Sequence, residues 1–187
     1  MPDGRIAIID ACVLVQAPLR DTLLRLAEPP ALYLPLWIED IIIEMKRALE
    51  RQIGLAPSKA AYLERELRRH FPDSWVAGYE PLIRKMTNDE KDRHVLAAAV
   101  RARAPKIVTF NRRHFSPAAT SRWHVEAVGP AAFLEISTNS PRPSSLSAST
   151  TKPGTWDARS PLNSTSSQRP FHRSSKLVRK DLKHRGD

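Results

Sequence analysis

Two kinds of apolar pattern alternate along the first 136 residues. Short unbroken runs with β-branched members read as buried strands, and longer runs spaced at 3.6 residues read as amphipathic helices. Residues 5–10 (RIAIID) form a run of the first kind and end on Asp10. Leu19, Leu23, Leu24 and Leu26 then mark a helix that Pro29 and Pro30 close, and residues 31–35 (ALYLP) predict a second strand. Residues 37–51 are long enough for a helix of several turns. Ile38, Ile41, Ile42, Met45 and Leu49 share one face, and Glu44 lies on its flank. Gly54 and Pro57 interrupt this pattern, and Ser58 is placed to cap a further helix through Tyr62, Leu63, Leu67 and Phe71. Residues 73–86 are ambiguous and fit a helix broken at Pro81.

The stretch 88–115 (NDEKDRHVLAAAVRARAPKIVTFNRRHF) has the clearest pattern. Acids at Asp89 and Asp92 open a helix carrying Val95, Leu96, Ala99 and Val100, residues 106–109 form a short strand, and Asn111 follows. Residues 123–128 predict a last strand and 130–136 a helical turn or two. Strands alternating with helices in this order define an α/β fold around a parallel sheet.

From residue 137 the composition changes. Ser, Thr and Pro dominate, and too little apolar area remains to offset the entropy of ordering. The expected organisation is therefore a domain over 1–136 and a disordered basic tail over 137–187. Net charge follows the same division: the first part carries +3 and the tail +7 of the total +10. A basic excess favours a polyanionic partner, nucleic acid above all. The single cysteine, Cys12, excludes an internal disulfide framework and fits a reducing compartment. No signal segment or membrane-length apolar run occurs, so a soluble cytoplasmic protein with no membrane association is expected.

Candidate chemistry lies in four polar positions, Asp10, Glu44, Asp92 and Asn111, with Asp89 as a fifth. Singly, each has a plainer role: helix cap, solvated helix residue, first-turn acid, turn residue. Together they change the picture. Adjacent parallel strands ending at Asp10 and Thr109 would carry Asp10 and Asn111 to one carboxyl edge, with Asp92 in the first turn of a helix beginning there. Carboxylates gathered in this way repel one another unless protonated or held by a cation, and all-oxygen ligands select Mg²⁺ or Mn²⁺ over zinc. Arg93, Arg112 and Arg113 stand nearby in sequence and could hold phosphates.

IIDACVLV at 8–15, IIIEM at 41–45, NDEKDRHVLAAAV at 88–100 and IVTFNRRHF at 107–115 together resemble a PIN domain, in particular the VapC-like toxins of toxin–antitoxin pairs. The resemblance runs over roughly residues 5–136. It implies a three-layer α/β/α fold with a central parallel sheet and a Mg²⁺- or Mn²⁺-dependent endoribonuclease acting on RNA. It also implies a homodimer and a small antitoxin partner. By the same resemblance, Asp10, Glu44 and Asp92 bind metal, Asn111 completes the catalytic set, and Asp89 supports it.

Two positions depart from the pattern. Ala11-Cys12 stands where many members have Thr-Asn, and His114 stands where many have an acid. These departures motivate an alternative, a catalytically weak RNA-binding or regulatory PIN domain. A phosphatase of the haloacid-dehalogenase type ranks lower, because Cys12 occupies the place of its second Asp.

Overall fold

A computed structural model describes residues 5–139. The expected disorder of the tail lies outside the described residues from 140 onward. Four strands, β1 (Ile6–Ile9), β2 (Leu34–Leu36), β3 (Lys106–Val108) and β4 (Glu126–Val128), pair in parallel in the order β2-β1-β3-β4. Helices α1 (Ala11–Leu14), α2 (Ala17–Ala27), α3 (Glu39–Ile53), α4 (Pro57–His70), α5 (Glu80–Ile83), α6 (Arg93–Ala102), α7 (Pro117–Thr120) and α8 (Pro130–Asn139) flank the sheet. The three-layer α/β/α architecture is the one expected.

The core explains why the apolar patterns work. α6 buries five consecutive residues, Val95 to Ala99, against β1, β3 and α5. A helix buried on that many sides must be narrow, and Ala97, Ala98 and Ala99 let the sheet and α5 approach closely. α3 buries Ile41, Ile42, Met45 and Leu49 and packs against α1 and α4. Gly54 ends it in the left-handed region at φ 73°, where Leu55 N–H returns to the Leu49 carbonyl.

Several boundaries differ from expectation. β2 is Leu34–Leu36 rather than 31–35, because Tyr33 turns inward: its hydroxyl donates to the Leu23 carbonyl and its ring meets Phe133 edge-on. Pro35 is tolerated because β2 is an edge strand, where one N–H is not needed by a neighbour. Pro57 takes the first turn of α4, so the cap is Ala56 and Ser58 lies inside the helix. Pro81 likewise begins α5 instead of breaking a longer helix. The acidic turn Glu90–Asp92 is a 3₁₀ turn, and α6 proper starts after Asp92. β4 starts at Glu126 because Ser121–Trp123 forms a 3₁₀ turn and His124 adopts φ 55°.

Two basic side chains of α4 are paired with acids. Arg68 bridges Glu39 and Glu64 and lies 3.9 Å over the Trp75 ring, and His70 pairs with Glu66. Among the described residues, no helix is long and apolar enough to cross a membrane.

Candidate functional site

The chain steps from β1 outward to β2 on one side, then to β3 and β4 on the other. Sheet order therefore reverses between β1 and β3. The carboxyl ends of such a pair leave a crevice that no crossover covers. Ile9 is level with Val108, so Asp10 and Thr109 leave the sheet side by side.

Asp10 is only 3% exposed, and it is held by three neighbouring groups. Its N–H donates to the Val108 carbonyl at 3.1 Å. Its Oδ2 accepts the Thr109 hydroxyl at 2.6 Å and the Cys12 thiol at 3.1 Å. A buried carboxylate without donors would be costly, and charge-assisted bonds offset that cost. The thiol can donate because it stays protonated: burial first, then the charge of Asp10, pushes Cys12 up to about 12. At the Ala11-Cys12 departure, the sulfur supplies a polar contact to Asp10.

Glu44 stands on α3 with its side chain partly in water, and His94 Nε2 lies 3.4 Å from its Oε1. Burial raises its pKa, His94 lowers it, and the charges of Asp10, Asp92 and Asp40 raise it further. The net shift is upward. Glu44 therefore lies within electrostatic reach of both Asp10 and Asp92.

Asp92 closes the 3₁₀ turn and is the N-cap of α6, where the helix dipole favours an anion. Its Oδ2 lies 2.5 Å from His114 Nδ1. Arg113 Nε donates to His114 Nε2 at 3.3 Å, which requires a lone pair there and leaves the ring proton on Nδ1, facing Asp92. Asp89 ties the two loops together. Its side chain accepts the Lys91 N–H at 3.1 Å, and its own N–H donates to the His114 carbonyl at 3.2 Å. One ligand atom each from Asp89, Asp92 and His114 lies within 4.8 Å of the others.

Asn111 follows β3 at the same edge. Its N–H donates to Thr109 Oγ1 at 2.9 Å and its carbonyl accepts the His114 N–H at 2.9 Å. Among the described residues its side-chain amide makes no hydrogen bond. The three arginines divide. Arg93 is half-buried and donates to the Asn88 carbonyl at 3.4 Å, whereas Arg112 and Arg113 are exposed.

Among the described residues the ligand atoms that lie close together belong to Asp89, Asp92 and His114, whereas Glu44 is linked to Asp10 and Asp92 through charge, and four further residues contact the predicted acids. Thr109 and Cys12 grip Asp10, His94 faces Glu44, and His114 faces Asp92. Strand register could have pointed to Thr109, since a residue level with Asp10 on the next strand must meet it. His114 was marked by standing where many related chains have an acid, whereas His94 carried no comparable signal, because its partner Glu44 lies 50 positions away.

The switch point between β1 and β3 places these polar residues where open α/β sheets bind ligands. The chain is 53% identical over 61 residues to the putative ribonuclease VapC50 of Mycobacterium tuberculosis (strain ATCC 25618 / H37Rv), a match covering 33% of this chain and 36% of that protein. The similarity to VapC-like PIN domains carried by the motifs is therefore supported by a relative, and the match spans about a third of that relative's length. No protein-family model and no solved structure matches the chain.

Proposed function

We propose that this chain is a metal-dependent endoribonuclease that hydrolyses RNA phosphodiester bonds as the toxin of a cytoplasmic toxin–antitoxin pair. The observation that supports the reading is that Asp10 and Asp92 both act on Glu44, whose carboxyl is raised by burial first and then, against the pull of His94, by their charges. A cation placed among like charges relieves their repulsion. The donor set suits a hard divalent ion. Asp10, Glu44 and Asp92 offer carboxylate oxygens alone, and the neighbouring group of Asp89, Asp92 and His114 adds one imidazole, a ligand less suited to Mg²⁺.

Asp10, Glu44 and Asp92 would hold that ion, with Asp89 supporting Asp92. When bound, such an ion supplies an acidified water and polarises a phosphoryl oxygen. Thr109 and Cys12 fix the direction of the Asp10 carboxyl by donating to a single oxygen, Oδ2, so neither takes up Oδ1. Asn111 has a free amide at the same edge, suited to orienting a water or a phosphate oxygen. Arg112 and Arg113 would bind the flanking phosphates, whereas Arg93 is partly committed to the Asn88 carbonyl. The folded nuclease unit extends past the expected boundary at 136, because α8 runs to Asn139 with Ser137 buried, and the residues beyond it would add phosphate contacts through their net +7. A homodimer and a small antitoxin belong to the same reading, through the likeness to the VapC relative.

His114 favours a second reading, an RNA-binding domain with weak catalysis, because it already occupies one oxygen of Asp92. The test uses the purified chain, free of antitoxin, on several structured RNAs with Mg²⁺ or Mn²⁺. The expected result is cleavage that EDTA or Asp92→Ala abolishes while RNA binding persists, since binding rests on Arg and Lys. A protein that binds these RNAs and cuts none with either ion would establish the second reading.

A further inference from the structure

Phe110 is 54% exposed, the most exposed large apolar side chain among the described residues, and it lies between Thr109 and Asn111 at the carboxyl edge of the sheet. An aromatic ring left in water forgoes the stabilisation that burial would give it. Its backbone is nonetheless held firmly. The Phe110 N–H donates to Cys12 Sγ at 3.4 Å, and the next N–H, of Asn111, donates to Thr109 Oγ1 at 2.9 Å. Those two acceptors are the groups that donate to Asp10 Oδ2. The ring is therefore tied through one shared network to the carboxylate at the centre of the site. Two exposed arginines, Arg112 and Arg113, follow immediately.

We infer that Phe110 is a stacking platform for an unpaired nucleobase beside the scissile phosphate. The inference rests on the ribonuclease reading and names its substrate class, single-stranded segments of RNA. A flat apolar ring flanked by cations matches the two parts of a nucleotide: the base stacks on the ring while the phosphates pair with the guanidinium groups. A paired base is already stacked on its neighbours and cannot offer its face to the ring. The network under Phe110 fixes where the stacked base lies relative to Asp10, and hence which phosphate is presented for cutting.

The experiment uses the full chain in EDTA, where binding is read without cleavage. The probe is a short unstructured RNA carrying 2-aminopurine at successive positions, with a duplex of the same strand for comparison. Phe110→Leu keeps apolar bulk without an aromatic face, Phe110→Trp keeps the face, and Ile53→Ala removes another exposed apolar side chain. Stacking of this kind is worth about ten-fold or more in affinity per base. The expected result is that Phe110→Leu binds the single strand about ten-fold more weakly and loses the quenching of one 2-aminopurine position. Phe110→Trp and Ile53→Ala should bind as the parent does, and the affinity for duplex should not change. Equal affinity and equal quenching in Phe110→Leu would overturn the inference, as would a chain that does not bind single-stranded RNA at low salt. Failure here is separable from failure of the nuclease reading. Cleavage unaffected by Phe110→Leu leaves a ribonuclease without the platform, and Phe110-dependent quenching without any cleavage leaves the platform without the nuclease.

Discussion

Thr109→Val is the sharpest test of how the site is built. Valine has nearly the shape of threonine, so the substitution removes one hydroxyl and little else. Thr109 is 0% exposed, and its hydroxyl donates to the Asp10 carboxylate at 2.6 Å while accepting the Asn111 N–H at 2.9 Å. A hydrogen bond to a charged group contributes about 1.5–3 kcal/mol, and an N–H left without its acceptor costs about 1 kcal/mol more when buried. Asn111 is only half-buried and water can replace part of its loss. The Cys12 thiol still reaches Asp10. The net destabilisation should therefore be about 2–3 kcal/mol. With a urea slope of about 2 kcal/mol per molar for a domain of this size, the unfolding midpoint should fall by roughly 1 M. The measurement is urea unfolding in EDTA, followed by circular dichroism. Thr109→Ser separates hydroxyl from methyl: it keeps the bond and loses about 1 kcal/mol of methyl burial, so it should fall between the parent and Thr109→Val. A double-mutant cycle with Asp10→Asn should show coupling of about 1 kcal/mol or more. A midpoint for Thr109→Val within about 0.2 M of the parent, or serine as damaging as valine, would refute the argument.

Two further outcomes follow from the same geometry. Glu44 has a raised folded pKa, so the native state holds its proton more tightly than the unfolded chain does. Without metal, the parent should therefore lose stability relative to Glu44→Gln as pH rises from the ordinary carboxylate range, and the two should converge at lower pH. Thermal unfolding of both proteins in EDTA across that range checks the sign, and a parent that gains stability relative to Glu44→Gln would contradict it. Cys12 is held at about 12 against an ordinary 9.0, so its thiolate should be about 1000-fold scarcer near pH 8 than in the unfolded chain. Labelling by a disulfide reagent should slow by about that factor on folding, and labelling at the unfolded rate would show that the thiol is not the donor described.

The sequence alone determined much of this protein's architecture, and for a local reason. Unbroken β-branched runs and 3.6-residue stripes reflect what a strand or helix must bury. The strand at Ile6–Ile9, the stripe of Ile41, Ile42, Met45 and Leu49, and the buried run of α6 were accordingly legible before any tertiary contact was known. The boundaries that moved belong to residues whose behaviour depends on a distant neighbour. Tyr33 left its strand because Phe133 and the Leu23 carbonyl lie beneath it, and Pro57 displaced Ser58 as the start of a helix.

Asp10 could be proposed from the chain because a polar residue directly after a buried strand is conspicuous, and Glu44 and Asp92 only through the motifs that carry the resemblance. Their surroundings could not. That Cys12 donates to Asp10 depends on burial raising its thiol. That His114 faces Asp92 and His94 faces Glu44 depends on loops brought together across the sheet. Periodicity records which face of an element is apolar. Which polar atoms meet at the sheet's open edge is settled only when β1 and β3 come to lie side by side.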